Sequence, residues 1–291
     1  QNGEWHILGS FPNAGKRKAA LEILKPGKTV NDPDAYAYAA EIPVNAYGAF
    51  DANFHFNGES GENPIRNLVF DGVGVKNGDY KDNGCGFMLK NTANCAIKNC
   101  SVSSIGYNGI WTYGTCMNNI VYGNDIYDVG AAGIYFESGV KMGLTYYQHD
   151  NMIENNHIHD TGKLEGHGGG LTLTGTNCTA RYNKIDHTGR GALSIGSGKS
   201  QLAALPSAHV GLYCEGVWIS MANVRQFISG RNSSANFNEI SHANLDSSDM
   251  GLFYNWGGGI DVDVKNNYFH DSDIRLQFGY CIYLDDASDM Y

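Results

Sequence analysis

Proline is scarce in this chain, six in 291 residues, and so is charge: 17% of the residues are Asp, Glu, Lys or Arg. Twenty Lys and Arg stand against thirty Asp and Glu, a formal net charge of −10. That balance argues against a nucleic-acid partner, because such affinity rests on Lys and Arg neutralising phosphates. It also argues mildly against a polyanionic polysaccharide, unless a metal or a local basic patch compensates. No run approaches the roughly 18 apolar residues of a membrane span. No CxxC pair or Cys/His cluster with zinc spacing is present, so no metal and no cofactor are expected. Seven cysteines are an odd number, which leaves at least one unpaired within the chain. No signal peptide is visible, as is also true of a mature secreted chain.

What the chain has is glycine, 38 residues of it, and a repeat. The stretch Asn151–Gly175 shows its grammar: a short strand at Met152-Ile153, an Asn pair at 155–156, a strand at Ile158, then Gly170-Leu-Thr-Leu. The last of these recurs as Gly86-Phe-Met-Leu, Gly109-Ile-Trp-Thr, Gly133-Ile-Tyr-Phe, Ala192-Leu-Ser-Ile, Gly251-Leu-Phe-Tyr and Cys281-Ile-Tyr-Leu. The steps 86 to 109, 109 to 133 and 170 to 192 are 23, 24 and 22 residues, and the longer steps are the same turn with inserted loops. A second column holds Cys100, Asn124, Asn156, Asn183, Asn238 and Asn267, each followed two residues later by an apolar residue. Stacked Asn side chains supply the hydrogen-bond partners that buried backbone needs at a bend. The apolar residue two places on has the period of a strand and points inward.

Two columns in step across inserts predict an all-β solenoid, a right-handed parallel β-helix. Residues 1–62 do not fit the repeat and form an irregular N-terminal segment that caps the coil. There Lys16–Leu24 reads as a short helix or a strand, and Tyr36–Val44 and Ala49–Phe56 read as strands. Residues 63–291 are the coil, continuous with the first segment, with insert loops at about 138–150 and 197–234. Cys95 and Cys178 take the slot of Asn119 and Asn151, Cys100 fills an Asn rung, and Cys281 replaces a strand glycine, so most of the cysteines read as structural thiols. The chain stops just after a strand without a covering helix, which suggests a fragment of a longer protein or a partner over the end.

Strand alternation places Met88, Trp111, Tyr135, Thr172, Ser194, Phe253 and Tyr283 on the outer face. Lys90, Tyr113, Glu137, Thr174, Gly196, Asn255 and Asp285 run beside them. Aromatics interleaved with carboxylates and amides suit a sugar chain, so Trp111, Tyr135, Glu137, Phe253 and Tyr283 are candidate substrate-binding residues. Asp249 and Asp285-Asp286 lie on successive turns, within the roughly 5–10 Å range used by glycosidase carboxylate pairs. They are the candidate catalytic residues. His187, Arg190 and His242 fall on adjacent turns and are read as sugar-binding or carboxylate-tuning groups. His157 and His167 read as solvent or loop residues.

The segments Asn151-Met-Ile-Glu-Asn-Asn-His-Ile-His-Asp160, Asn183-Lys-Ile-Asp-His-Thr188, Asn238-Glu-Ile-Ser-His242, Ser248-Asp-Met-Gly-Leu-Phe-Tyr254, Asn266-Asn-Tyr-Phe-His-Asp271 and Cys281-Ile-Tyr-Leu-Asp-Asp-Ala-Ser288 carry a resemblance. In that order, over about residues 63–288, the chain resembles right-handed parallel β-helix glycan-active enzymes, most of all glycoside hydrolase family 141 and its relatives. Met250 and Leu252 stand where that family has small residues. The resemblance implies a secreted or periplasmic enzyme hydrolysing a plant or algal polysaccharide, with Asp249 and Asp285 or Asp286 as its carboxylates. A polysaccharide lyase or C5-epimerase, which would call for Ca²⁺ or a basic residue against a uronate, is the enzyme alternative. A non-catalytic glycan-binding or adhesin β-helix is the other, since one fold carries them all.

Overall fold

The computed structural model describes residues 53–78, 80, 84–136, 148–196, 211–214, 216–274, 277–285 and 288, with the backbone of Trp5–Ile7, Lys18–Leu24 and Tyr36–Pro43. The chain winds through three parallel sheets, one strand in each per turn. The turn Ile120–Tyr122, Asp125–Val129, Ile134–Phe136 is representative and defines sheets 1, 2 and 3 in that order. Sheet 2 holds seven strands, one for each complete turn. Sheet 1 is lengthened at its N-terminal edge, where Trp5–Ile7 pairs parallel with Leu68–Asp71 and antiparallel with Lys18–Leu24, which continues to Tyr36–Pro43. Lys18–Leu24 is therefore strand rather than helix. Sheet 3 starts ahead of the repeat, because Phe54–Asn57 already pairs parallel with Phe87–Lys90.

The bend between sheets 1 and 2 needs one left-handed residue and one hydrogen-bonding side chain. Asn99, Gly123, Asn155, Tyr182, Phe237 and Asn266 all have φ between 50° and 66°. The residue after each is a rung of the column read from the sequence. Each Asn Oδ1 accepts the backbone N–H of the rung one turn earlier, at 2.9–3.0 Å, from Cys100 to Asn267. Each Nδ2 donates back to a carbonyl of the preceding turn, as Asn183 does to Ile153 at 3.0 Å. A parallel ladder runs through Cys95, Asn119 and Asn151, with Cys178 donating its N–H to Ser233 Oγ. The buried thiols thus stand in the slots their sequence positions implied.

At the bend into sheet 3 the turns carrying Gly86, Gly109, Gly133 and Gly170 leave no room for a side chain. A Cβ on Gly109 would sit 2.5 Å from the carbonyl oxygen of Gly133 and 2.7 Å from Ile126 Cγ2. The inward Ile or Val of sheet 2 fills that corner, and the interior behind it is continuous apolar packing of Val102, Ile126, Ile158, Ile185 and Ile240. Burying such side chains contributes about 1.5–3 kcal/mol each.

Register departs from expectation once. Leu193 pairs with Phe253, and Phe253 with Ile282. Leu252, whose carbonyl accepts from Ala192 N–H, therefore occupies the slot assigned to Gly251. Leu252 and Phe253 are both buried core residues, so Phe253 points inward and is not a substrate-facing ring. Tyr254 takes its outward place, between Ser194 and Tyr283. Against the following strand the register is unbroken through Gly251, Met250 with Gly279 and Phe253 with Ile282, so the inward column at this turn starts one residue later than the Gly-Leu-Phe-Tyr motif suggests.

Candidate active site

The outward column of sheet 3 ends in two tyrosines, Tyr254 and Tyr283, paired across adjacent strands with ring centroids 5.5 Å apart and planes at 71°. Tyr254 Oη donates to Asp285 Oδ2 at 2.8 Å. Tyr283 Oη donates to Asp249 Oδ1 at 3.2 Å and also lies within hydrogen-bonding reach of Asp285. Asp249 and Asp285 thus share one cluster with the two phenols, Tyr254 bonded to the second carboxylate and Tyr283 to the first. Asp249 precedes its strand in the left-handed conformation, φ 57°, which turns its exposed side chain across the sheet edge.

Arg190 comes from the bend between sheets 2 and 3 one turn earlier. Burial lowers the pKa of its half-buried guanidinium, against the opposing pull of Tyr254 and Asp249. Burial and the hydrogen bond to Asp285 hold the Tyr254 phenol well above its ordinary value. Burial, then the carboxylates of Asp285 and Asp249, push Tyr283 up to about 12. Both phenols are therefore proton-bearing donors at neutral pH.

The structure brings together Arg190, Asp249, Tyr283 and Asp285 among the residues read from the sequence, and adds Tyr254. Asp286 and Glu137 lie outside the described residues. Trp111 and Tyr135 are on the same outward face, four and three strands from Tyr254, or about 19 and 14 Å at ordinary strand spacing. Trp111 packs between Tyr107 and Tyr113 at 6.0 and 5.2 Å, and beneath them Met88 is buried rather than open to a ligand. His187 and His242 are elsewhere: they stack on each other at 4.8 Å at the end of sheet 2. There His187 Nδ1 bonds Asp186 at 2.7 Å and His242 Nδ1 bonds Asp273 at 2.8 Å. His157 is a strand residue of sheet 2, not a loop residue, and its Nε2 lies 2.7 Å from Asp186 Oδ1. The sequence signal for His157 was the rung before it, which aligns it with Asp125.

Among the described residues no helix is long and apolar enough to cross a membrane. A search of the curated proteins gave no match. Among solved structures, a glycoside hydrolase is similar at a TM-score of 0.55 and 12% identity, over 91% of this chain and 48% of that one. The periplasmic alginate epimerase AlgG follows at 0.48 and 14%, over 70% and 39%. An alginate lyase from Paenibacillus sp. str. FPU-7 gives 0.38 and 14%, over 77% of each. The chain thus spans less than half the length of the hydrolase and of the epimerase. At 12% identity the likeness to the hydrolase is one of fold alone. Residues 54–269 match the family described as the right handed beta helix region, and the chain belongs to that family.

Proposed function

We propose that this chain is a polysaccharide-degrading glycoside hydrolase whose carboxylate pair is Asp249 and Asp285. The observation that carries the reading is Tyr283, one phenol within reach of both carboxylates. Paired carboxylates serve retaining and inverting glycosidases alike, the two differing in how far apart the pair stands. One carboxyl would protonate the glycosidic oxygen while the other attacks the sugar or activates water. The phenols stay protonated, so their part is to hold both carboxylates in place and to donate to sugar hydroxyls. Tyr135 and Trp111 would extend the glycan track along sheet 3. Such substrates lie outside the cytoplasm, so the proposed location is extracellular or periplasmic.

Arg190 favours a second reading. A cation beside the Tyr254 phenol is where a uronate carboxylate would sit in a lyase or C5-epimerase. The test is product formation from a panel of neutral and acidic plant and algal polysaccharides. Reducing ends released without ultraviolet-absorbing unsaturated products, and lost in Asp249→Asn, support the hydrolase. Unsaturated products indicate the lyase. Glycan binding without turnover by the folded protein contradicts both and leaves a binding module.

A further inference from the structure

We infer that Asp125, His157 and His159, on the outer face of sheet 2, form a binding site for a divalent transition-metal ion of the zinc class. The three come from two adjacent strands, where Asp125 is in register with His157, and His159 follows two residues on, on the same face. The site lies on a different sheet from the tyrosine–carboxylate cluster and does not depend on its function.

The hydrogen bonds determine what the two imidazoles present. His157 Nε2 is 2.7 Å from Asp186 Oδ1, and His159 Nδ1 is 2.8 Å from Asp160 Oδ2. A carboxylate only accepts, so in both of those bonds the imidazole nitrogen is the donor. The remaining nitrogens, His157 Nδ1 and His159 Nε2, lie 3.6 and 3.3 Å from the same atom, Asp125 Oδ1. Two imidazole nitrogens and a carboxylate oxygen thus converge, an arrangement that a cation completes.

The dimensions agree. One donor atom from each residue lies within 4.8 Å of the others. A tetrahedral ion with bonds of about 2.0–2.1 Å separates its ligands by about 3.3–3.4 Å. The rings are held in place: they stack at 4.2 Å and 24°, and Tyr127 lies flat on His159 at 5.1 Å and 7°. Metal-bound histidines characteristically give their second nitrogen to a carboxylate, as both do here. Asp186 is buried in that role, whereas Asp125 and His157 remain partly exposed, which leaves coordination positions open on the solvent side. Two imidazoles with one carboxylate favour zinc, cobalt, nickel or copper over calcium and magnesium, which take oxygen ligands.

The test is titration of chelator-stripped protein with Zn²⁺ by calorimetry and with Co²⁺ by visible absorption. It is run in a Cys281→Ser background, because that thiol is exposed. One ion per chain should bind at this site with a tetrahedral or five-coordinate cobalt spectrum. His159→Gln and Asp125→Asn should each weaken binding at least tenfold, and Asp186→Asn about 10- to 100-fold, the usual range for an outer-shell partner. His167→Ala, in a loop, should bind as the parent does. Circular dichroism spectra matching the parent show that each variant is folded. Zn²⁺ binding that persists at parental affinity in His159→Gln and Asp125→Asn would overturn the proposal. So would the absence of any Zn²⁺ binding, or competition by Ca²⁺ at equal affinity.

Discussion

Asn183→Ala should be among the most damaging single substitutions in this chain. Its side chain makes four hydrogen bonds: Oδ1 accepts from Asn156 N and Nδ2 at 3.0 and 2.9 Å, and Nδ2 donates to Ile153 O and Asn238 Oδ1, both at 3.0 Å. The residue is fully buried, so no water replaces the lost partners. Truncation orphans the buried Asn156 N–H, at about 1–3 kcal/mol, and removes three further bonds at about 1 kcal/mol each. The expected loss is about 4–6 kcal/mol, large against the roughly 5–15 kcal/mol of a typical domain. The last rung is the control: Asn267 also accepts two bonds and donates one, but it is only half-buried, and solvent can substitute. Asn267→Ala should cost about 1 kcal/mol. Urea unfolding followed by far-ultraviolet dichroism reads both as midpoint shifts at unchanged slope. Equal costs for the two variants would refute the view that the ladder stabilises by satisfying buried backbone.

Gly109→Ala should destabilise by about 1–3 kcal/mol or more, since its Cβ would meet the Gly133 carbonyl and Ile126; a thermal melt checks this. Burial raises the thiols of Cys85 and Cys178 to about 12 and Cys95 to about 11. In native protein near pH 8, alkylation mapped by mass spectrometry should therefore find Cys281 modified well before Cys85, Cys95, Cys100, Cys116 and Cys178, which should react only on unfolding. Because the Tyr283 phenol is raised to about 12, it stays protonated through any ordinary assay range. Tyr283→Phe should lower turnover without moving the alkaline limb of the pH–rate profile; a limb that shifts with this variant would mean the phenol acts as the base.

How much of this was legible in the sequence differs by feature. The Asn rungs and strand glycines could be read directly because each answers a local backbone need that recurs every turn. Phe253 could not, because Leu252 and Phe253 are both apolar and both buried, and only pairing with Leu193 shows which of them heads the inward column. Asp249 and Asp285 could be placed on neighbouring turns, but the link between them runs through Tyr283 Oη, a matter of side-chain rotamer rather than register. His187 and His242 were placed on the right turns and the wrong side. Each sits at the end of a sheet 2 strand with φ of 50° and 47°, His187 bonded to its neighbour Asp186 and His242 to Asp273 of the next turn. Asp125 and His157 follow the rungs Asn124 and Asn156, so their pairing was available from the column, but the hydrogen bonds that orient the rings were not.

The central functional claim is that Asp249 and Asp285 act as one carboxylate pair. Its most direct test is the rate of reducing-end release from the best polysaccharide substrate by wild type, Asp249→Asn, Asp285→Asn and the double variant. The account predicts that each single variant loses at least about 10³-fold and that the double loses little more, because residues acting as a unit are not additive. Two single variants that keep near wild-type turnover, or losses that multiply independently in the double, would contradict it.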